Sequence, residues 1–309
     1  MATHRLPARQ ATATQVLSRD TAPVLTIEPG DRVIVESLDA WGHLERQSAP
    51  GATTPYRFPD RRGHALTGPI EVAGTTAGDV LALRFDAFET ADWGWTAGGS
   101  RDDAFAHSLG IEGSEPAWLL WDLDRDAGTG TNQHGHTVRL APFLGVVGLP
   151  PVEPGEHSTT PPRAAGGGNI DCRELTAGST LFLPVTVPGA LLHLGDGHAA
   201  QGDGEVGGTA IECGMTTTLT VDVVRDTPLS SIHALTPTAR ITFGFDADLN
   251  RATAEALGAM LTWLQQLYGL ERKTALALAS SVVDLRVTQI ANRTWGVHAV
   301  LGLDAVVVA

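Results

Sequence analysis

The sequence contains a single lysine, Lys273, in 309 residues. Catalysis by a Ser-Ser-Lys or Cys-Glu-Lys arrangement would have to rest on that one side chain. It lies beside Glu271 and Arg272 in a segment with helical character, where a solvated charge is the expectation. No Gly-x-Ser-x-Gly elbow precedes a helix, so the common serine-hydrolase design is unsupported. The glycine runs are not followed by helices either, which removes the usual nucleotide-binding turn. Two cysteines, Cys172 and Cys213, cannot form a disulfide framework, and a reducing cytoplasm is the expected compartment. No apolar run reaches transmembrane length, and the first residues lack the continuous apolar core of a secretory signal. A soluble intracellular protein is expected.

Basic charge is scarce throughout. There are 21 Lys and Arg against 35 Asp and Glu, a formal charge of −14. Nucleic acid and anionic membranes are poor partners for such a chain, whereas small neutral or cationic ligands are compatible. What is abundant is apolar and turn-forming: 42% hydrophobic residues, 35 glycines and 18 prolines. That composition predicts a packed core of short strands joined by many turns.

The patterning agrees. Asp31–Ala40, Gly78–Glu89 and Thr137–Leu149 read as strands, as do LFLPVTV, GTAIECG and TTTLTVDVV further on. Residues 90–136 read as loop, rich in Trp, Gly and Asp, and Pro150–Asn169 as a linker or long excursion. Asn250–Gly269 has apolar residues at i, i+3 and i+4, with Asp248 or Asn250 to cap it and Gly269 to end it. Glu271–Leu285 predicts a second helix, and Thr294–Val308 a hairpin-like tail. The expected fold is mainly β with a smaller α/β portion: a β-sandwich or barrel-like core with two helices near the C-terminus. A β-rich half, 1–149, would join a half, 150–309, carrying the helical pair, in one compact unit.

Within that second half, Gly189–Glu212 gathers His193, Asp196, His198, Asp203, Glu205 and Glu212 among seven glycines. No Lys or Arg occurs between Arg173 and Arg225. Uncompensated acids repel one another unless they are solvated, share protons or hold a cation. The apolar flanks leave little room for solvation on both sides. Histidine with carboxylate is a donor set that a zinc-like ion takes, so a metal site is predicted. Asp196 and His198, two apart in an extended segment, would project to one side. Upstream, Asn169 and Asp171 share a side after three glycines; Asn169 could hydrogen-bond an amide and Asp171 could ligate metal. Asp39 and His64 are further candidate ligands. The plainer alternative makes Asp203-Gly204 a hairpin turn with solvated acids. His107, His134, His136, His157, His233 and His298 are read as surface or structural histidines.

These segments together resemble the acetamidase/formamidase family. The carrying stretches are residues 66–83, 141–151, 166–213 and 277–292, with GDGHAAQGDGEV as the ordered core. The resemblance implies hydrolysis of small carboxamides to carboxylate and ammonia, a β-rich and often oligomeric protein, and an associated divalent metal. Asp171, Asp196 and His198, with Asp39 or His64, would hold a zinc-like ion. Glu212, or failing that Glu205, would be the general base, and Asn169 and Gln201 would orient the amide. The Trp93-Gly94-Trp95 and Trp118–Trp121 stretches are expected to line or lid the pocket. Two rivals stand beside this reading. One is a non-catalytic β-rich module holding a structural cation such as calcium through Asp203 and Glu205. The other is a metal-free hydrolase using two carboxylates.

Overall fold

The computed structural model describes residues 1–99, 103–113, 115–225 and 227–307. Short strands dominate them, in a nine-stranded sheet, an eleven-stranded sheet and a two-stranded ribbon. Asp31–Ser37 shows why: its side chains alternate between buried and exposed, and it pairs with Thr3–Leu6 and Met215–Val224. Met215–Val224 pairs in turn with Val80–Thr90. One large apolar core draws on both sheets, uniting Val33, Leu83 and Leu219 from the first with Leu144, Leu192 and Leu194 from the second. Both sheets take strands from either side of residue 150. The architecture is therefore sandwich-like, as the composition and strand pattern predict.

The helical pair is present near the C-terminus. Leu249–Tyr268 begins where the Asp248 side chain accepts from Asn250 N, and ends at Gly269 in the left-handed conformation, φ 64°. It packs on the strands Ala239–Asp246 and Trp295–Gly302 through Ala252, Ala256, Met260 and Leu264. No helix among the described residues is long and apolar enough to cross a membrane.

Three local expectations are corrected. Residues 90–136 are not loop: they contain strands Trp93–Gly98, Ala117–Asp124 and Thr129–Asn132 and a short helix, Ala104–Ser108. The tryptophans read as loop residues are good strand formers, and their strands pair antiparallel. Thr137–Leu149 splits into Thr137–Arg139 and Phe143–Gly148; the break holds Pro142, which has no N–H to donate to a ladder. The second helix stops at Val282, because the following Val283–Gln289 pairs as an edge strand with Trp295–Gly302.

Candidate active site

The acidic segment folds as the strand Leu192–His198, fully buried, with Phe143–Gly148 on one flank and Leu66–Val72 and Glu212–Cys213 on the other. Pairing is regular from Phe143↔His198 to Leu144↔Gly197, then resumes at Val146↔Gly195. Between them Asp196 takes a left-handed backbone, φ 60°. Asp171 (φ 51°) and Glu205 (φ 43°) do the same, so three of the six left-handed non-glycine residues among those described are acids of this cluster. Such backbone costs on the order of 1–3 kcal/mol per residue and persists where surrounding structure imposes it.

Those bends bring the acids together. His198 Nε2 lies 3.4 Å from Asp196 Oδ1 and 3.3 Å from Glu212 Oε2. Ligand-type atoms of Asp196, His198 and Glu212 all fall within 4.8 Å of one another, and so do those of Asp171, His198 and Glu205. All five side chains are buried. Both Asp171 carboxylate oxygens, Asp196 Oδ1, His198 Nε2, Glu205 Oε2 and Glu212 Oε2 have no hydrogen-bond partner in the protein. Buried oxygens orphaned at this density form a donor set that could hold a cation.

Burial and neighbouring charge shift the protonation of the cluster in different directions. Burial pushes Glu212 up to about 7, with the Asp196 charge adding to the shift. Burial likewise lifts Asp171 and Glu205 well above the carboxylate range. For Asp196 burial is outweighed by His198 and His64, which hold it below its ordinary value. Burial also opposes the His198 imidazolium, yet the charges of Glu212 and Asp196 prevail and raise it. Protons here stand in for cationic charge.

Gly145 closes the space beneath the cluster. A Cβ there would strike Asp196 Oδ2 and lie 2.6 Å from Asp171 Oδ1 and 2.9 Å from His198 Cε1. Its carbonyl also accepts from the backbone N–H groups of Ile170 and Asp171. Above, a cavity of about 90 Å³ is lined by Asn169, Asp196, Glu205 and Glu212, with Trp41 and His64 among its walls. That is room for a few waters or one very small molecule.

The remaining predicted residues are placed as follows. Asn169, last in the strand Gly167–Asn169, lines the cavity with its Oδ1 unpartnered. His64 stands at the mouth, Nε2 3.8 Å from Asp196 Oδ2, its Nδ1 3.0 Å from the Thr159 hydroxyl. Gln201 donates from Nε2 to the Asp171 carbonyl at 2.8 Å, so its Oε1 is the atom 2.9 Å from His198 Nδ1. An amide oxygen only accepts, which puts a proton on Nδ1 and turns Nε2 toward the acids. Asp39 lies outside both three-residue groups: its Oδ1 accepts from Trp41 N, Gly42 N and His43 Nδ1, building the turn that carries Trp41. Asp203 is exposed and outside both groups as well. Trp95 and Trp118 back the cavity indirectly, packed against Trp41.

Sequence reasoning missed Gly145, Trp41, and the loop residues Ala291 and Asn292 that also line the cavity. A glycine inside the buried run FLGVVG is a recognised sign of close approach. Residues 291 and 292 end the stretch 277–292 that carries the family resemblance, but that stretch gave them no role. They arrive because Gly204 bridges Gln289: Gly204 N donates to Thr288 O and Ile290 N to Gly204 O.

A second set, Cys172, Glu174 and His298, also has ligand spacing. Its charge is already balanced, since Arg286 Nη1 lies 2.8 Å from Glu174 Oε1. Lys273 is exposed on the second long helix, away from these groups.

Residues 5–154 and 152–303 match the Acetamidase/Formamidase family. The chain belongs to this family. The family fold is shared with the crystal structure of an acetamidase from Bacillus halodurans, 28% identical, TM-score 0.86, covering 97% of each chain. An acetamidase from Yersinia enterocolitica is similar too: 29% identical, TM-score 0.83, covering 98% of this chain and 92% of its own. In sequence, the formamidase of Methylophilus methylotrophus is 26% identical over 60% of this chain and 58% of its own length. The chain thus spans a little over half the length of the curated relatives it matches.

Proposed function

We propose that the chain hydrolyses a small aliphatic carboxamide, of the formamide or acetamide type, to carboxylate and ammonia with a divalent cation in the cluster. One observation carries the reading: buried carboxylates and an imidazole, with unpartnered oxygens, surround a cavity of about 90 Å³ in a member of this family. The donor set fits a cation. Asp196, His198 and Glu212 form one group able to hold it, Asp171, His198 and Glu205 the other, and His64 stands close by. Mixed nitrogen and oxygen donors suit zinc, and the oxygen-rich composition also suits calcium. When bound, such a cation polarises a carbonyl and lowers the pKa of water.

The chain's own residues divide the remaining work. The unpartnered Asn169 Oδ1 accepts an N–H of the substrate amide, orienting its carbonyl carbon. Glu212, which lines the cavity with its Oε2 unpartnered, moves a proton. It takes one from the attacking water and returns it to the departing nitrogen as the C–N bond breaks. Glu205 is the other glutamate facing the cavity and the alternative for that role. Gln201 acts on His198 rather than on substrate, both amide atoms being engaged within the protein. The reading extends to a cytoplasmic homo-oligomer; two buried, unbridged cysteines support the reducing compartment.

The test is ammonia release from formamide, acetamide and bulkier amides, before and after chelation and restoration with zinc or calcium, alongside elemental analysis. We expect ammonia from the smallest amides, lost on chelation and restored with metal. Bound metal with no turnover of any amide would leave a module with a structural cation. Turnover indifferent to chelation would favour the two-carboxylate scheme.

A further inference from the structure

The groove outside the cavity carries a positive charge that the fold does not neutralise. It encloses about 490 Å³ and is lined by Trp41, Asp60, Arg61, Arg62, His64 and Thr160. Trp41, His64 and Thr160 line the inner cavity as well, so the two spaces adjoin. Two arginines stand in the groove, and they differ. Arg62 is paired on both sides, Nε 3.0 Å from Asp60 Oδ2 and Nη1 2.7 Å from Glu156 Oε2. Arg61 has no carboxylate partner among the described residues; its guanidinium carbon sits 5.1 Å from the Trp41 ring centre and 5.0 Å from that of Tyr56.

Aromatic faces hold and aim a guanidinium without cancelling its charge. The backbone supports the same placement, since Arg61 is left-handed at φ 44°, a conformation that non-glycine residues adopt only under constraint. On a chain of net charge −14, an unpaired cation beside the substrate cavity is a local exception. It gives an anion one place to dock at the mouth.

We propose that Arg61 binds the carboxylate of a bifunctional substrate, an ω-amido acid whose amide end enters the inner cavity. The carboxylate would form charge-assisted hydrogen bonds with the guanidinium that Trp41 and Tyr56 hold in place. This inference rests on the amide-hydrolysis reading and narrows its substrate class. The competing role for Arg61 is a clamp that merely steadies Trp41.

The experiment compares matched pairs, malonamate against propionamide and succinamate against butyramide, on the metal-loaded protein and its variants. Wild type should favour the anionic member of at least one pair. Arg61→Gln should lower the ratio of anionic to neutral kcat/KM about tenfold, chiefly through KM, and Arg61→Lys should keep most of it. High salt should shrink the preference. Arg62→Gln should leave the ratio within about twofold, because its charge is already paired. No anionic preference in wild type, or an equal fall for both members in Arg61→Gln, would overturn the proposal. If no amide is turned over, the hydrolysis reading fails, and calorimetric titration with succinate still decides the subsite. Binding lost in Arg61→Gln supports it; binding absent from wild type or equal in both proteins overturns it.

Discussion

The amide oxygen of Gln201 accepts from Nδ1 of His198 at 2.9 Å, while the amide nitrogen of the same side chain donates to the Asp171 carbonyl at 2.8 Å. One residue therefore fixes both the ring that the two acidic groups share and the backbone carrying one of the acids. Replacing it with leucine should leave His198 free to exchange tautomers. We expect metal affinity to fall about 10- to 100-fold with little change in melting temperature. Calorimetric metal titration, with ¹⁵N NMR of the His198 ring, checks this; unchanged affinity would remove the positioning role.

Gly145→Ala tests the floor of the cluster. The added Cβ would stand 2.6 Å from Asp171 Oδ1, nearer than atoms can approach without displacement. Activity and bound metal should both fall by about 100-fold or more, with a destabilisation of about 1–3 kcal/mol typical of overpacking. Wild-type metal content in a folded variant would contradict the close approach.

His198 and Glu212 should separate in their effects. His198→Ala removes the member common to both groups, so bound metal and ammonia release should disappear together while the fold persists. Glu212→Gln keeps size and one oxygen, and should reduce turnover more than metal content. Equal loss of both in Glu212→Gln would make this residue chiefly a ligand.

The metal-free protein should be sensitive to pH through Glu212. Its carboxyl is raised from an ordinary 4.5 to about 7 by burial, so the folded state keeps a proton that the unfolded chain releases. That contribution is fully present below about pH 4.5 and is lost as pH rises through about 7. Thermal melts across this range should decline in wild type and decline less in Glu212→Gln. Added metal should flatten the slope and release protons, measurable in weak buffer.

Much of the fold was readable because burial leaves periodic marks. Asp31–Ser37 alternates, and the helix Leu249–Tyr268 carries its own cap at Asp248 and stop at Gly269. The concentration of acids in 189–212 was equally plain, since no basic residue lies nearby to compensate it. What stayed hidden depends on tertiary context. The strands at 93–98 and 117–124 looked like loop because glycine and tryptophan suggest turns until a partner strand is supplied. Asp39 and Asp171 have the same side chain, yet one caps a local turn and the other faces His198; only the path of the chain separates them. Gly145 escaped notice because it contributes an absence of atoms.

The bridge between Gly204 and Gln289 has a consequence for biosynthesis. Beside its own local turns, the loop that carries Glu205 is tied through Gly204 to Thr288 and Ile290, far downstream in the chain. A growing polypeptide on the ribosome therefore lacks the scaffold for that carboxylate until translation has passed those codons. The Glu205 side of the cluster would thus be among the last parts of the centre to be set in place.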